Sequence, residues 1–371
     1  MSLLEDLIKK YCPDGVEYVE LNSVIYYEQP SKYIVKDTKY NDDYDIPVLT
    51  AGQSFILGYT NEKNGIYKAN KKEPVIIFDD FTTSFHLVDF NFKVKSSAMK
   101  MLKVIDKNKS DFRYLYYCMR NIQYSPLDHT RQWIEKYSKF TIPLPPIEVQ
   151  KEIVRILDTF TELTTELTTE LTLRKKQYEY YRNYLFNKIQ VYNNVFLGDI
   201  ADISVGSKPE FISDNKMEFE YINAGTTNSG YTNNYNCLGD TVTTPSRGQG
   251  GIGHIGYQKN NFWLGALCYQ IRSNKDYILT KYIYYYLKNN NELILKIKNS
   301  GGLPSVNRNN LLKINIKFPN LEYQKEIVKI LDRFDALCND ISSGLPAEIE
   351  MRKKQYEYYR DKLLTFKEKK I

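Results

Sequence analysis

The sequence predicts an α+β chain: two globular domains of mixed β-sheet with helices, separated by two long antiparallel helices that form a coiled coil with pseudo-twofold symmetry. Three observations carry this expectation: a near-verbatim internal repeat, an apolar stripe at helical spacing in both copies, and a shared strand-and-loop outline ahead of each copy. The boundaries that follow are 1–147 for the first globular domain, 148–190 for the central helix, 191–321 for the second globular domain and 322–371 for the C-terminal helix.

The repeat dictates the architecture, because self-similarity on this scale marks duplicated structural units. QKEIVRILD at Gln150–Asp158 returns as QKEIVKILD at Gln324–Asp332, and RKKQYEYYR at Arg174–Arg182 returns unchanged at Arg352–Arg360. The first pair is offset by 174 residues and the second by 178, so the later copy holds four more residues between its blocks. In the first copy Ile153, Ile156, Phe160, Leu163, Leu167, Leu171, Tyr178, Tyr181 and Leu185 recur at three- and four-residue steps. In the second, Ile327, Ile330, Phe334, Leu337, Ile341, Leu345, Ile349, Tyr356, Tyr359 and Leu363 do the same. Such a stripe needs an apolar partner, and each copy offers one to the other.

TELTTELTTELT (Thr161–Thr172) is a tandem of ELTT units whose leucines stay on one face, so it continues the helix. A four-residue insertion lengthens a heptad seam without destroying it. The second copy differs: Ser343-Gly344-Leu345-Pro346 predicts a kink or short break near Gly344, because glycine and proline disfavour helix interiors.

The segments ahead of the helices consist of short β-branched and aromatic runs punctuated by Gly, Asn, Asp and Pro, the texture of sheet with loops. They share an outline with little identity. PVLTAGQ (Pro47–Gln53) is echoed by YINAGTT (Tyr221–Thr227), and PVIIF (Pro74–Phe78) by GDTVTT (Gly239–Thr244). Each segment then passes through a tyrosine-rich helix, YLYYCM (Tyr114–Met119) or YIYYYL (Tyr282–Leu287), and ends in a strand closed by proline, FTIPLPP (Phe140–Pro146) or INIKFP (Ile314–Pro319). A repeated holder carrying two non-identical bodies suits a two-part asymmetric target.

Composition narrows the class. With 42% hydrophobic and 26% charged residues over 371 positions, the chain is neither disordered nor fibrous. No apolar run is long enough to cross a bilayer, and the opening, acidic at Glu5 and Asp6, lacks the basic-then-apolar order of a secretory signal, so the cytoplasm is the expected compartment. Cys12, Cys118, Cys237, Cys268 and Cys338 form no CxxC pair, and His86, His129 and His254 show no metal spacing, so no metal or disulfide framework is expected. A net charge of +6 favours a polyanionic partner without proving one. Neither a GxxxxGK[ST] phosphate loop nor an Asn/Asp-Pro-Pro-Tyr/Phe motif is present, so no catalytic residue is assigned.

The loops suit nucleic acid better. Arginine and glutamine read guanine and adenine edges bidentately, and glycine lets backbone approach phosphates; SRGQGG (Ser246–Gly251) offers all three. DHTRQWIEK (Asp128–Lys136) and NSGGLPSVNR (Asn299–Arg308) hold matched places before the last strand. Taken singly each loop reads as a solvated turn, and their recurrence at equivalent places points to DNA. The candidate contacts in the first domain are Gln53, Thr82, Thr83, Arg131, Gln132, Trp133 and Lys136. In the second they are Thr226, Thr227, Asn228, Ser246, Arg247, Gly248, Gln249, Gly250, Ser305, Asn307 and Arg308.

The layout resembles the specificity subunits of type I restriction-modification systems. The resemblance spans essentially the whole chain and is carried by YCPDGVEYVEL (Tyr11–Leu21), the junctions Pro145/Gln150/Ile153 and Pro319/Gln324/Ile327, the RKKQYEYYR blocks and the ELTT tandem. It implies two target-recognition domains on double-stranded DNA, each reading a short half-site, with unread base pairs between. It also implies two modification subunits that methylate adenine with S-adenosylmethionine, and restriction subunits that use ATP and magnesium, leaving this chain without a cofactor of its own. Two other readings stay open: a coiled-coil scaffold protein, and the specificity subunit of a combined restriction-methylation enzyme of another type.

Overall fold

The computed structural model describes residues 3–52, 54–189, 192–299, 301–340 and 342–369. Contacts divide the chain into two units, Met1–Glu166 with Glu350–Ile371, and Leu167–Ile349.

In the first unit, helix α1 (Leu3–Tyr11) leads to strand β1 (Tyr18–Glu20), the single turn α2 (Leu21–Val24) and strand β2 (Ile25–Glu28). Strands β3 (Ile46–Leu49), β4 (Ile56–Thr60), β5 (Val75–Asp79), β6 (Phe85–Val88), β7 (Lys93–Val94) and β8 (Met99–Val104) follow. Helix α3 (Phe112–Asn121) and strand β9 (Thr141–Pro143) complete the body. The unbroken apolar run of β5 marks it as a strand covered on both faces, and Val75, Ile76, Ile77 and Phe78 are fully buried. It sits inside an antiparallel sheet ordered β2-β8-β5-β6, with Ile76 opposite Leu102 and Leu87. A second sheet, β4-β3-β7, has β3 and β7 parallel, and β1 pairs antiparallel with β9.

After Pro145-Pro146 the chain enters helix α4 (Ile147–Asn187), whose 41 residues make a rod of about 60 Å at 1.5 Å per residue. The threonines of the ELTT tandem stay helical by donating to carbonyls one turn back: Thr161 to Leu157 (3.0 Å), Thr164 to Phe160 (2.8 Å) and Thr172 to Thr168 (3.0 Å).

The second unit repeats the plan. Strand β10 (Asn193–Phe196), turn α5 (Leu197–Ile200) and strands β11 (Ala201–Val205), β12 (Phe219–Ile222), β13 (Tyr231–Thr232) and β14 (Thr241–Pro245) come first. Strands β15 (Gly256–Gln258), β16 (Trp263–Leu264), β17 (Cys268–Ser273) and helix α6 (Thr280–Asn289) follow. Helix α7 (Glu292–Lys296), strands β18 (Lys298–Asn299) and β19 (Ser305–Val306) and helix α8 (Arg308–Leu312) precede β20 (Asn315–Phe318), with β19 in the loop that answers to 128–136 of the first unit. The sheets are β11-β17-β14-β15, β13-β12-β16 with β12 and β16 parallel, and β10-β20. Strand for strand this is the arrangement of the first unit, with β14 in the place of β5.

The C-terminal helical segment is broken into α9 (Leu321–Asn339) and α10 (Leu345–Leu363), at the place where Gly344 and Pro346 predict it. The Asp340 carboxylate accepts hydrogen bonds from the Ser342 amide (2.7 Å) and the Ser343 hydroxyl (2.6 Å), stopping α9. Pro346 falls in the first turn of α10, where its missing N–H costs nothing. In the first unit α4 meets α10 through stacked Phe160 and Tyr359, and in the second α4 meets α9 through Tyr178 and Tyr181 on Phe334. Among the described residues no helix is long and apolar enough to cross a membrane.

Candidate nucleic-acid interface

Each globular body is fixed to its helix by the same bonds. Gln150 is fully buried; its Nε2 donates to the carbonyls of Pro145 (2.7 Å) and Lys109 (2.8 Å), and its Oε1 accepts from the Asp111 amide (2.8 Å). Gln324, also fully buried, donates to Pro319 (2.9 Å) and Tyr277 (3.0 Å) and accepts from the Leu279 amide (3.0 Å). Two turns along, Asp158 receives Arg113 (2.7 Å) and the Tyr117 hydroxyl (2.5 Å), while Asp332 receives Lys281 (2.8 Å) and the Tyr285 hydroxyl (2.6 Å). Burial first, and the neighbouring carboxylate second, push both phenols up, so they remain donors. These contacts orient α3 and α6, and with them the loops that each body displays.

In the first body the turn after β5 is shaped by Asp79, whose Oδ1 accepts from the amides of Phe81 and Thr82 (2.9 Å each), and by Thr83 at φ 59°. Beneath it Lys100 and Asp80 form an ion pair of 3.2 Å with side chains 1% and 3% exposed. A buried charge is tolerated when paired and hydrogen-bonded, and Asp80 is both: its Oδ1 accepts from the Trp133 amide (2.9 Å) and its carbonyl from the Gln132 amide (2.8 Å). The loop 128–136 is thereby tied to the β5 turn. Hydrogen bonds from Thr130, Lys136 and Gln132 hold the Asp128 carboxyl well below the usual carboxylate range. Between the turn and the end of α3 lies a cavity of about 310 Å³, lined by Thr83, Ser84, His86, Arg120 and Tyr124 among others. His86 Nε2 stands 3.1 Å from the Gly52 carbonyl, which brings the loop after β3 to the same place.

The second body gathers its loops by backbone contacts. The Val306 amide donates to the Ser246 carbonyl (2.9 Å), the Gly248 amide to Pro304 (3.0 Å), and the Tyr269 hydroxyl to Val306 (3.0 Å). Gly251 lies so close to the loop after β12 that an added Cβ would stand 2.0 Å from the Ala224 carbonyl oxygen, so only glycine fits. Segments 223–228, 246–251 and 304–308 therefore adjoin. Among the described residues neither the Arg247 guanidinium nor the Gln249 amide group has a hydrogen-bond partner, and both residues are exposed.

Of the residues singled out from sequence, Thr82, Arg131, Thr226, Thr227, Arg247, Gln249, Gly250, Asn307 and Arg308 are exposed. Lys136, Asn228, Ser246, Gly248 and Ser305 are half-buried, and Gln53 lies outside the described residues. Three expectations need correction. Thr83, Gln132 and Trp133 are buried, at 7%, 0% and 2% exposure, and offer little or no side-chain surface to a ligand. Gln132 spends its amide on Asp128, Thr130 and Tyr124, and Trp133 packs against Phe78 and Tyr137, so both hold the loop up from inside. Asn307 and Arg308 are partly committed as well, to capping α8 (2.8 Å to the Asn309 amide) and to the Ile203 carbonyl (2.8 Å). The sequence reading missed Asp80, Lys100, His86 and Arg120. Lys100 had a signal: it stands between Met99 and Met101 in the strand run MKMLKV, where burial demands a partner for its charge.

The chain belongs to the type I restriction modification DNA specificity domain family, whose model matches twice, over residues 13–174 and 190–351. It is a specificity subunit of a type I restriction-modification system: it is 41% identical to the type I restriction enzyme EcoR124I/EcoR124II specificity subunit of Escherichia coli, over 99% of this chain and 97% of that one. It is also 33% identical to the putative type I restriction enzyme specificity subunit S.HindORF215P of Haemophilus influenzae, over 85% of this chain and 86% of that one. The fold is similar to the crystal structure of the type I restriction-modification S subunit from M. genitalium, with TM-score 0.67 and 18% identity over 94% of this chain and 95% of that one.

Proposed function

We propose that the two globular bodies are target-recognition domains that read two unlike half-sites of one bipartite, asymmetric double-stranded DNA target. One observation carries this reading. The Gln132 amide bonds to the Asp80 carbonyl in the first body and the Val306 amide to the Ser246 carbonyl in the second. The same tether thus joins the same two loops in both, while the side chains at the tips differ entirely. Conserved geometry with divergent tips suits a device that positions on the backbone and specifies through base edges.

On this reading the contacts of the first body are Gln53, Thr82, Arg131 and Lys136, and those of the second are Thr226 to Asn228, Ser246 to Gly250, Ser305, Asn307 and Arg308. The functional divisions are 1–147 and 191–321 for recognition, and 148–190 and 322–371 for spacing and recruitment. The helices recruit two methyltransferase subunits and the restriction subunits. Those partners supply catalysis with S-adenosylmethionine, ATP and magnesium, and this chain is non-catalytic. The assembly works in the cytoplasm, where its DNA lies.

Replacing Arg247 by alanine in the methyltransferase complex tests the assignment. Relaxation at one base position of the second half-site, by about 1–3 kcal/mol, is expected for a bidentate base contact. Unchanged affinity and unchanged selectivity at every position would contradict it.

A further inference from the structure

We propose that Arg120 neutralises a backbone phosphate of the DNA held by the first body, an inference that rests on the DNA-reading function above. Arg120 lies in the last turn of α3 and lines the 310 Å³ cavity beside Thr83 and Ser84 of the β5 turn. It is exposed, and among the described residues its guanidinium has no hydrogen-bond or ion-pair partner.

The second body supplies an internal comparison. Arg113 and Tyr117 on α3 bind Asp158 as Lys281 and Tyr285 on α6 bind Asp332, so the two helices are in register. Three residues beyond each tyrosine stand Arg120 and Lys288. Lys288 is neutralised at home: its Nζ is 2.6 Å from the Tyr284 hydroxyl and 3.4 Å from Asp335. In the repeat Asp335 corresponds to Thr161, which has no charge and donates its hydroxyl to its own helix at Leu157 (3.0 Å). The first copy therefore keeps the cation and lacks the anion that would quench it. A positive side chain gains a little from the negative end of a helix, which accounts for a cation in both copies but not for the difference between them. A guanidinium presents a planar fork matched to phosphate oxygens, and the cavity gives such a group room beside the turn that carries Thr82.

The test is the salt dependence of duplex binding by the full-length chain in its methyltransferase complex, using DNA that carries its methylation target and DNA that lacks it. For Arg120→Ala and Arg120→Gln the slope of log affinity against log salt is expected to fall by about 0.9, the value for one released counterion. The loss should be equal on both DNAs, and Lys288→Ala should leave the slope unchanged. The glutamine variant keeps the stem and hydrogen-bonding ability, so a folding defect in the alanine variant alone does not decide the result. An unaltered slope in both Arg120 variants overturns the proposal, as does a loss confined to one base position or an equal fall in Lys288→Ala. Absence of salt-dependent duplex binding by the unmodified complex would overturn the DNA-reading function itself, a failure distinct from these.

Discussion

Phe160 and Tyr359 stack with ring centroids 5.3 Å apart and planes 22° from parallel, and Phe334 and Tyr181 do the same at 5.6 Å and 26°. Phe160 and Phe334 follow the two QKEIV blocks, and Tyr181 and Tyr359 belong to the two RKKQYEYYR blocks. Each unit therefore joins the first block of one repeat to the second block of the other. Neither repeat supplies both halves of its own contact, which explains why the blocks recur almost unchanged while the bodies between them diverge.

This exchange has an energetic consequence. A double-mutant cycle on Phe160 and Tyr359, read by chemical denaturation, is expected to show a coupling of about 0.5–1.5 kcal/mol beyond simple burial. Independent effects of the two alanine substitutions would show the rings to be mere neighbours.

Gln150 and Gln324 each satisfy three backbone groups from a buried position. Removing the side chain leaves those groups unpaired, at about 1–3 kcal/mol for each buried group left unsatisfied. Gln150→Ala and Gln324→Ala should lower stability by similar amounts in denaturant titrations; a cost near zero for either would mean water replaces the clamp.

Acid should weaken the first unit through Glu28. Burial pushes this carboxyl up, but hydrogen bonds from Lys32, Lys103 and Tyr33 outweigh it and hold the value at about 2, against an ordinary 4.5. A carboxyl lowered in the folded state contributes stability that is complete above its unfolded value and lost as pH falls through the folded one. The contribution therefore disappears between about pH 4.5 and pH 2. Glu28→Gln should be less stable than the natural chain at neutral pH and should lose less on acidification across that window. Parallel pH profiles for the two proteins would exclude the linkage.

The ELTT tandem lies wholly inside α4, and one further unit adds about 6 Å of helix. Sequencing of methylated adenines in cells carrying such a variant should show both half-sites unchanged and the gap between them longer by about one or two base pairs, at ~3.4 Å each. A constant gap would separate helix length from spacing.

Much of this organisation is legible in the sequence because it is written locally. The repeats, the break at Gly344, the correspondence of PVIIF with TVTT as β5 and β14, and the paired tyrosine-rich helices all follow from periodicity and turn chemistry. The loop tips are less legible. Whether Gln132 or Trp133 points outward depends on Asp80 and Lys100, which are distant in sequence and whose pairing no local pattern reveals. Helix α7 also has no helical counterpart among the described residues of the first unit to announce it, and Arg120 stands out only when Lys288 and Asp335 are seen beside their counterparts.

The decisive measurement is the adenine methylome of the host with this gene intact and with it deleted. Two unlike DNA readers on one duplicated holder require that deletion abolish a single motif made of two different half-sites at a fixed separation. If no such motif disappears, or if the lost motif is one uninterrupted or palindromic sequence, the assignment of the two bodies is wrong.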